Sequence, residues 1–134
     1  MKTKELTVTT KRHTEMIDIS AEIRASLAES GVKNGICLVF VPHTTAAVTV
    51  NENADPDVKS DIITELGKIV PWQDNYRHRE GNAAAHLKAS LMGSAQALII
   101  EDGDLLLGIW QGVYFCEYDG PRHRKVLLKI VADE

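Results

Sequence analysis

Apolar and polar residues alternate at the start of the chain, where "ELTVTT" places Leu6 and Val8 on one side and threonines on the other. "EMIDI" repeats the alternation through Met16 and Asp18, and this period of two predicts a pair of strands. The period changes at Ser20. Ile23 and Leu27 are spaced i, i+4, Ser20 reads as an N-cap and Gly31 as a C-terminal stop, so residues 20–30 are expected to be helical. "GICLVFVP" is a continuous apolar run too short for a helix, rich in β-formers and ended by Pro42, and it predicts a buried strand. "AAVTVNE" predicts another strand after residues 42–45.

Asp55-Pro56 is a strong helix start, with Asp55 as N-cap, Pro56 in the first turn and Asp57 complementing the positive end of the dipole. Val58, Ile62, Leu66 and Ile69 form one apolar stripe that runs until Pro71. Residues 71–82 carry no period. Asn82 is then expected to cap "AAAHLKASLMG", with Leu87 and Leu91 facing the core and Gly93 ending the helix. Four further strands are predicted in "AQALIIE", "LLLGIWQG", "VYFCEYDG" and "HRKVLLKIVA", joined by turns such as "EDGD" and "DGPR". Strand-rich ends around three short helices predict an α+β fold, with a mainly antiparallel, β-sandwich-like core in a single domain over residues 1–134.

Composition narrows the function classes. A hydrophobic content of 44% with 25% charged residues is ordinary for a globular chain, and no apolar run approaches the ~20 residues of a membrane span. "MKTKELTVTT" lacks the apolar core of a signal peptide, so a cytoplasmic protein with no membrane partner is expected. Cys37 and Cys116 are far apart, without CxxC spacing, and read as buried thiols. A net charge of -4 argues against nucleic acid as a partner, although local basic clusters suit a small anion. No nucleotide cofactor is expected.

Three stretches carry candidate chemistry. His43 stands at the exit of a buried strand, in "PHTTAAVTVNEN", with Thr44, Thr45, Asn51 and Glu52 following and Asp55 just beyond. "RHREGNAAAH" brings Arg77, His78, Arg79 and Glu80 to a helix start and places His86 half-buried in its first turn. The backbone N–H groups of residues 81–84, Gly81 and Asn82 among them, would form an anion site over which Arg77 and Arg79 close. His43, His78 and His86 could converge as a zinc site with Glu52 or Glu80 as ligand or base, or could bind phosphate or act as acid and base. In "DGPRHRK", strand alternation separates Arg122 and Arg124 from His123 and Lys125. Trp110 reads either as a stacking surface or as a core residue, and His13 receives no role.

"HTTAAVTVNENADPDV", "HREGNAAAHLKASLMG", "GIWQG" and "CEYDGPRHRK" together resemble, in order, the motifs of the secondary thiamine-phosphate synthase family, also called YjbQ-like. The resemblance implies a compact homotrimer with sites near subunit contacts. It also implies a transferase side activity: a pyrimidine diphosphate loses pyrophosphate and the nitrogen of a thiazole phosphate attacks the methylene carbon. The family's polar positions fall on His43, Thr44, Asn51, Glu52, Asp55, His78, Glu80, His86, Trp110, Gln111 and Glu117. The resemblance implies catalytic roles for His43, Glu52, Asp55, His78, His86 and Gln111, and substrate or anion binding by Thr44, Asn51, Gly81, Asn82, Trp110 and Arg122. It adds a divalent metal on His43, His78 and His86, whereas Glu52 and Asp55 would suit magnesium better than zinc. Arg122 or Arg124 would help the leaving group depart. A binder of a phosphorylated metabolite or a metal, without turnover, is the alternative.

Overall fold

The computed structural model describes residues 2–134. Its elements in chain order are β1 (Lys4–Thr9), β2 (Glu15–Asp18), α1 (Ser20–Ser30), β3 (Gly35–Phe40), β4 (Ala46–Glu52), α2 (Pro56–Ile69), α3 (Ala83–Met92), β5 (Ala95–Glu101), β6 (Asp104–Leu105), β7 (Gln111–Glu117) and β8 (His123–Ala132). Two sheets form, in the orders β1-β8-β3-β5-β6 and β2-β7-β4, and every pairing is antiparallel. The expected α+β sandwich with three helices is therefore the observed architecture.

The layers follow from which faces are apolar. β3 alternates buried and exposed residues, sending Cys37 and Val39 inward and leaving Ile36, Leu38 and Phe40 outside. β7 is buried on both faces. Its Val113 and Phe115 meet the five-stranded sheet and the Ile23 and Leu27 face of α1. Its Tyr114 and Cys116 join Leu66 of α2 and Ala85 and Ala89 of α3 on the opposite side. The three-stranded sheet is thus sandwiched between the larger sheet and the two later helices. Among the described residues no helix is long and apolar enough to cross a membrane.

Several expectations are corrected. The first two strands do not pair with each other: β1 joins β8 and β2 joins β7, in different sheets. Ser20 is the first helical residue rather than the cap. Its N–H donates to Asp18 Oδ1 at 2.9 Å and its hydroxyl oxygen accepts from the Val113 N–H at 2.8 Å. Gly31 does end α1, in a left-handed conformation with φ 71°. Asp55 caps α2 as expected, accepting from the Asp57 N–H at 2.9 Å, but of the α2 stripe only Leu66 is fully buried and Ile69 is exposed.

Leu87 and Leu91 do not face the core; Leu91 is 63% exposed. The buried face of α3 is Ala84, Ala85, Lys88 and Ala89, because small side chains let the helix lie close on the sheet. "LLLGIWQG" is not a strand. β6 stops at Leu105, a loop follows, and Trp110 is 59% exposed rather than in the core.

Candidate functional site

The site grows out of a strand crossover. After Phe40, which pairs with Leu127, β3 leaves β8, and the chain passes through Val41 to Thr45 into β4 of the other sheet. This departure leaves the Lys125 N–H without a strand partner on that side, and it donates instead to His43 Nε2 at 2.9 Å. A neutral imidazole has one N–H and one lone pair, so this bond places the ring hydrogen on Nδ1. Partial burial and the nearby Arg124 guanidinium lower the imidazole's pKa below its ordinary value, keeping His43 neutral near pH 7.

A buried ion pair braces the crossover. Arg124, pointing inward from β8, donates from Nε to Glu117 Oε1 at 2.8 Å and through its second nitrogen to Oε2. The same guanidinium donates to Thr45 Oγ1 at 2.8 Å, and the Thr10 hydroxyl donates to Glu117 Oε1 at 2.8 Å. Burial alone would raise the Glu117 pKa, but the bonds from Arg124, the Asp119 N–H and Thr10 hold it below the usual carboxylate range. Glu117 and Arg124 therefore position the His43 loop.

Beside this loop lies a cleft of about 440 Å³ lined by His43, Thr44, His78, Asn82, His86 and Arg122, among others. A second cleft of about 460 Å³ adjoins it and shares His43, Thr44 and His86. The His78 and His86 rings meet edge to face with centroids 5.0 Å apart. His86 is half-buried, as its place in the first turn of α3 predicts. Gly81 takes φ 81° in the turn that leads into α3.

Asn82 occupies the N-cap position of α3 without making the expected cap. Its Nδ2 donates to Asp119 Oδ2 at 2.9 Å, which orients the amide, and its Oδ1 is buried without a partner. Since the carboxylate can only accept, Asn82 offers the cleft an acceptor rather than a donor. The first N–H groups of α3 are correspondingly left without a side-chain cap. Arg122 is held to the Asp119 carboxylate at 3.0 Å and to its backbone oxygen at 2.8 Å. Asp119 and Thr10 are the supporting residues that sequence reasoning missed; the Asp-Gly-Pro turn ahead of the basic run was the available signal for Asp119.

The remaining candidates lie elsewhere. Ala46 pairs with Glu117 and Glu52 with Gln111, so Asn51, Glu52, Asp55, Trp110 and Gln111 sit at the far end of β4 and β7 from His43. At ~3.3 Å per residue that is roughly 20 Å along the strand. Three of these side chains serve the backbone there: Asn51 Oδ1 accepts from the Glu52 N–H at 2.7 Å, Gln111 Oε1 accepts from the Gly108 N–H at 2.7 Å, and Asp55 caps α2. Within one chain they do not join the histidines. Arg77 lines a neighbouring cavity with His86, while Arg79 lines none of these clefts; the arginines that line the histidine cleft are Arg122 and the buried Arg124.

A metal on all three histidines does not fit. Among the described residues no three His, Cys, Asp or Glu side chains form a group able to hold a metal ion. The His43 Nε2 lone pair is committed to Lys125, so this ring presents an N–H to the cleft and has no lone pair to offer a metal there. Elemental analysis of tag-free wild type and His43→Ala should therefore give the same metal content. Loss of a metal on that substitution alone would show that the ring turns over and ligates. Thiol chemistry is also disfavoured, because burial pushes Cys37 up to about 11 and Cys116 up to about 12.

The family described as UPF0047 protein YjbQ-like matches residues 4–133. UPF0047 protein YugU of Bacillus subtilis is 50% identical over 129 residues, covering 96% of this chain and 98% of its own. UPF0047 protein MJ1081 of Methanocaldococcus jannaschii is 50% identical over 127 residues, covering 95% and 92%. Among solved structures, an uncharacterised YjbQ/UPF0047 protein of Clostridium acetobutylicum superposes with a TM-score of 0.94 at 53% identity, covering 96% of this chain and 99% of its own. A YbjQ-like protein of unknown function from Sulfolobus solfataricus does so with a TM-score of 0.94 at 33% identity, covering 98% and 97%. With the match spanning nearly every residue and the same sandwich recurring in solved relatives, this chain belongs to the YjbQ-like UPF0047 family.

Proposed function

We propose that the histidine cleft binds a phosphorylated small molecule and supports a secondary thiamine-phosphate-forming reaction in a cytoplasmic homotrimer. The observation that carries the reading is the convergence of three anion-binding features on one cleft: the His43 Nδ1–H, the Arg122 guanidinium and the uncapped N-terminus of α3. A diphosphate seated there would develop charge as the methylene C–O bond breaks and its electron pair leaves with pyrophosphate. These donors stabilise that charge, and the thiazole nitrogen supplies the pair for the new C–N bond. The Asn82 Oδ1 would accept from an amino or hydroxyl group of the ligand, and His86, half-buried at the wall, would supply a proton to the leaving group.

The open face of the five-stranded sheet supports self-association. Ile36, Leu38 and Phe40 of β3 lie beside Ile99 of β5 and Val131 of β8, all exposed. A second reading, binding without turnover, is favoured by the separation of Glu52, Asp55 and Gln111 from the histidines within one chain.

Calorimetric titration with inorganic pyrophosphate tests the anion site. Arg122→Ala should weaken binding about tenfold, the effect of losing one charge-assisted hydrogen bond. Absence of binding to wild type would overturn the whole reading. Binding without slow pyrophosphate release from the pyrimidine diphosphate in the presence of thiazole phosphate would leave the binder and remove the enzyme.

A further inference from the structure

Among the described residues Lys88 is the one buried lysine, only 7% exposed, and no carboxylate pairs with it. Its Nζ lies 5.9 Å from the Tyr118 ring centroid, and among the described residues that ring is its one partner. An ammonium withdrawn from water is stabilised by a counter-ion, and a buried charge without one is a site left incomplete. The side chain lines a cavity of about 430 Å³ with His13, Thr14, Gly67 and Trp72. None of these residues lines the histidine cleft.

Two further observations give the cavity a shape. Trp72 is half-buried, and the His13 ring meets it edge to face at 4.4 Å and 82°, so two rings stand as adjoining walls. Gly67 lies inside α2, where glycine costs helix stability relative to alanine. A Cβ built there meets nothing within 4 Å, so no contact within the chain requires the glycine. The space it keeps open is the cavity itself.

We propose that this cavity is a second ligand site, specific for a small carboxylate with a flat, apolar body. The carboxylate would pair with the Lys88 ammonium, and the flat body would lie against Trp72 over Gly67. The Thr14 hydroxyl and His13 Nδ1 bond to each other at 3.2 Å, so the Lys88 ammonium is the charged donor of the walls; it matches a single carboxylate, whereas a phosphate group, with more acceptor oxygens and more charge, calls for more donors.

Benzoate is the probe. Its binding is measured by calorimetry and by quenching of Trp72 fluorescence in a Trp110→Phe background. Benzoate should bind at millimolar concentration or below, quench Trp72, and bind at least tenfold more weakly to Lys88→Met and to Gly67→Leu, while Arg122→Ala binds it as wild type does. Lys88→Met keeps the apolar stem and removes the unpaired charge, and Gly67→Leu fills the cavity without touching the lysine, so the two variants fail independently. No benzoate binding to wild type, or binding that both variants leave intact, overturns the proposal. Binding lost in Arg122→Ala but not in Lys88→Met would place benzoate in the histidine cleft and overturn it equally.

Discussion

Replacing Arg124 by alanine should destabilise the protein by about 3–5 kcal/mol, the range for removing one partner of a buried ion pair. The Glu117 carboxylate left behind is fully buried, and Thr45 loses its guanidinium donor at the crossover that carries His43. Denaturant unfolding followed by tryptophan fluorescence measures the loss; a change below about 1 kcal/mol, the range of a surface pair, would show that water reaches the carboxylate. The acid limb of the wild-type stability curve reports the same pair. The folded-state pKa of Glu117 is depressed, so its contribution is fully present above the ordinary value of 4.5 and is lost as pH falls through the lower folded value. Glu117→Gln should remove that part of the acid-dependent loss.

Phe115→Ala should cost about 3–5 kcal/mol, equivalent to roughly 10–20 °C in Tm at fixed protein concentration. Phe115 has no exposed surface and pairs with Ile17 and Val48 at the centre of the three-stranded sheet. Its ring fills the layer between the two sheets, where a cavity cannot collapse without moving a strand. Calorimetric unfolding of wild type and variant checks it. A loss under about 1.5 kcal/mol, the range of tolerated hydrophobic swaps, would mean that the sandwich repacks freely.

Legibility in the sequence followed the strength of local signals. The Asp55-Pro56 start, the Gly31 stop and the runs of β3, β4, β5 and β8 are local chemistry, and each appeared where its pattern placed it. Hydrophobicity misled where packing distance decides. Leu87 and Leu91 are the largest apolar residues of α3, but alanines form its seat because the helix lies close against the sheet. Polar side chains misled in a related way: Ser20 and Asn82 read by type as caps, but the Ser20 hydroxyl accepts from the Val113 N–H of β7 and the Asn82 amide donates to Asp119 in the turn after β7.

The candidate site divides along the same line. That His43, His78 and His86 were the residues to watch was readable from strand-exit and helix-start positions, and the tertiary structure brings all three to one cleft. That Glu52, Asp55 and Gln111 lie at the other end of β4 and β7 was not readable, because spacing along a chain does not state strand register.

The sequence by itself determined the three helices, the strands other than "LLLGIWQG", the sandwich class and the family, since periodicity, turn chemistry and ordered motifs are properties of neighbours in the chain. Only the tertiary structure decided that Arg124 is buried against Glu117 while Arg122, at the same cleft, stays exposed. It also decided which His43 nitrogen carries the hydrogen and that Lys88 stands buried without a counter-ion. These depend on which strands and helices meet across more than eighty residues of chain in the case of His43 and Lys125, an outcome of global packing that no local pattern encodes.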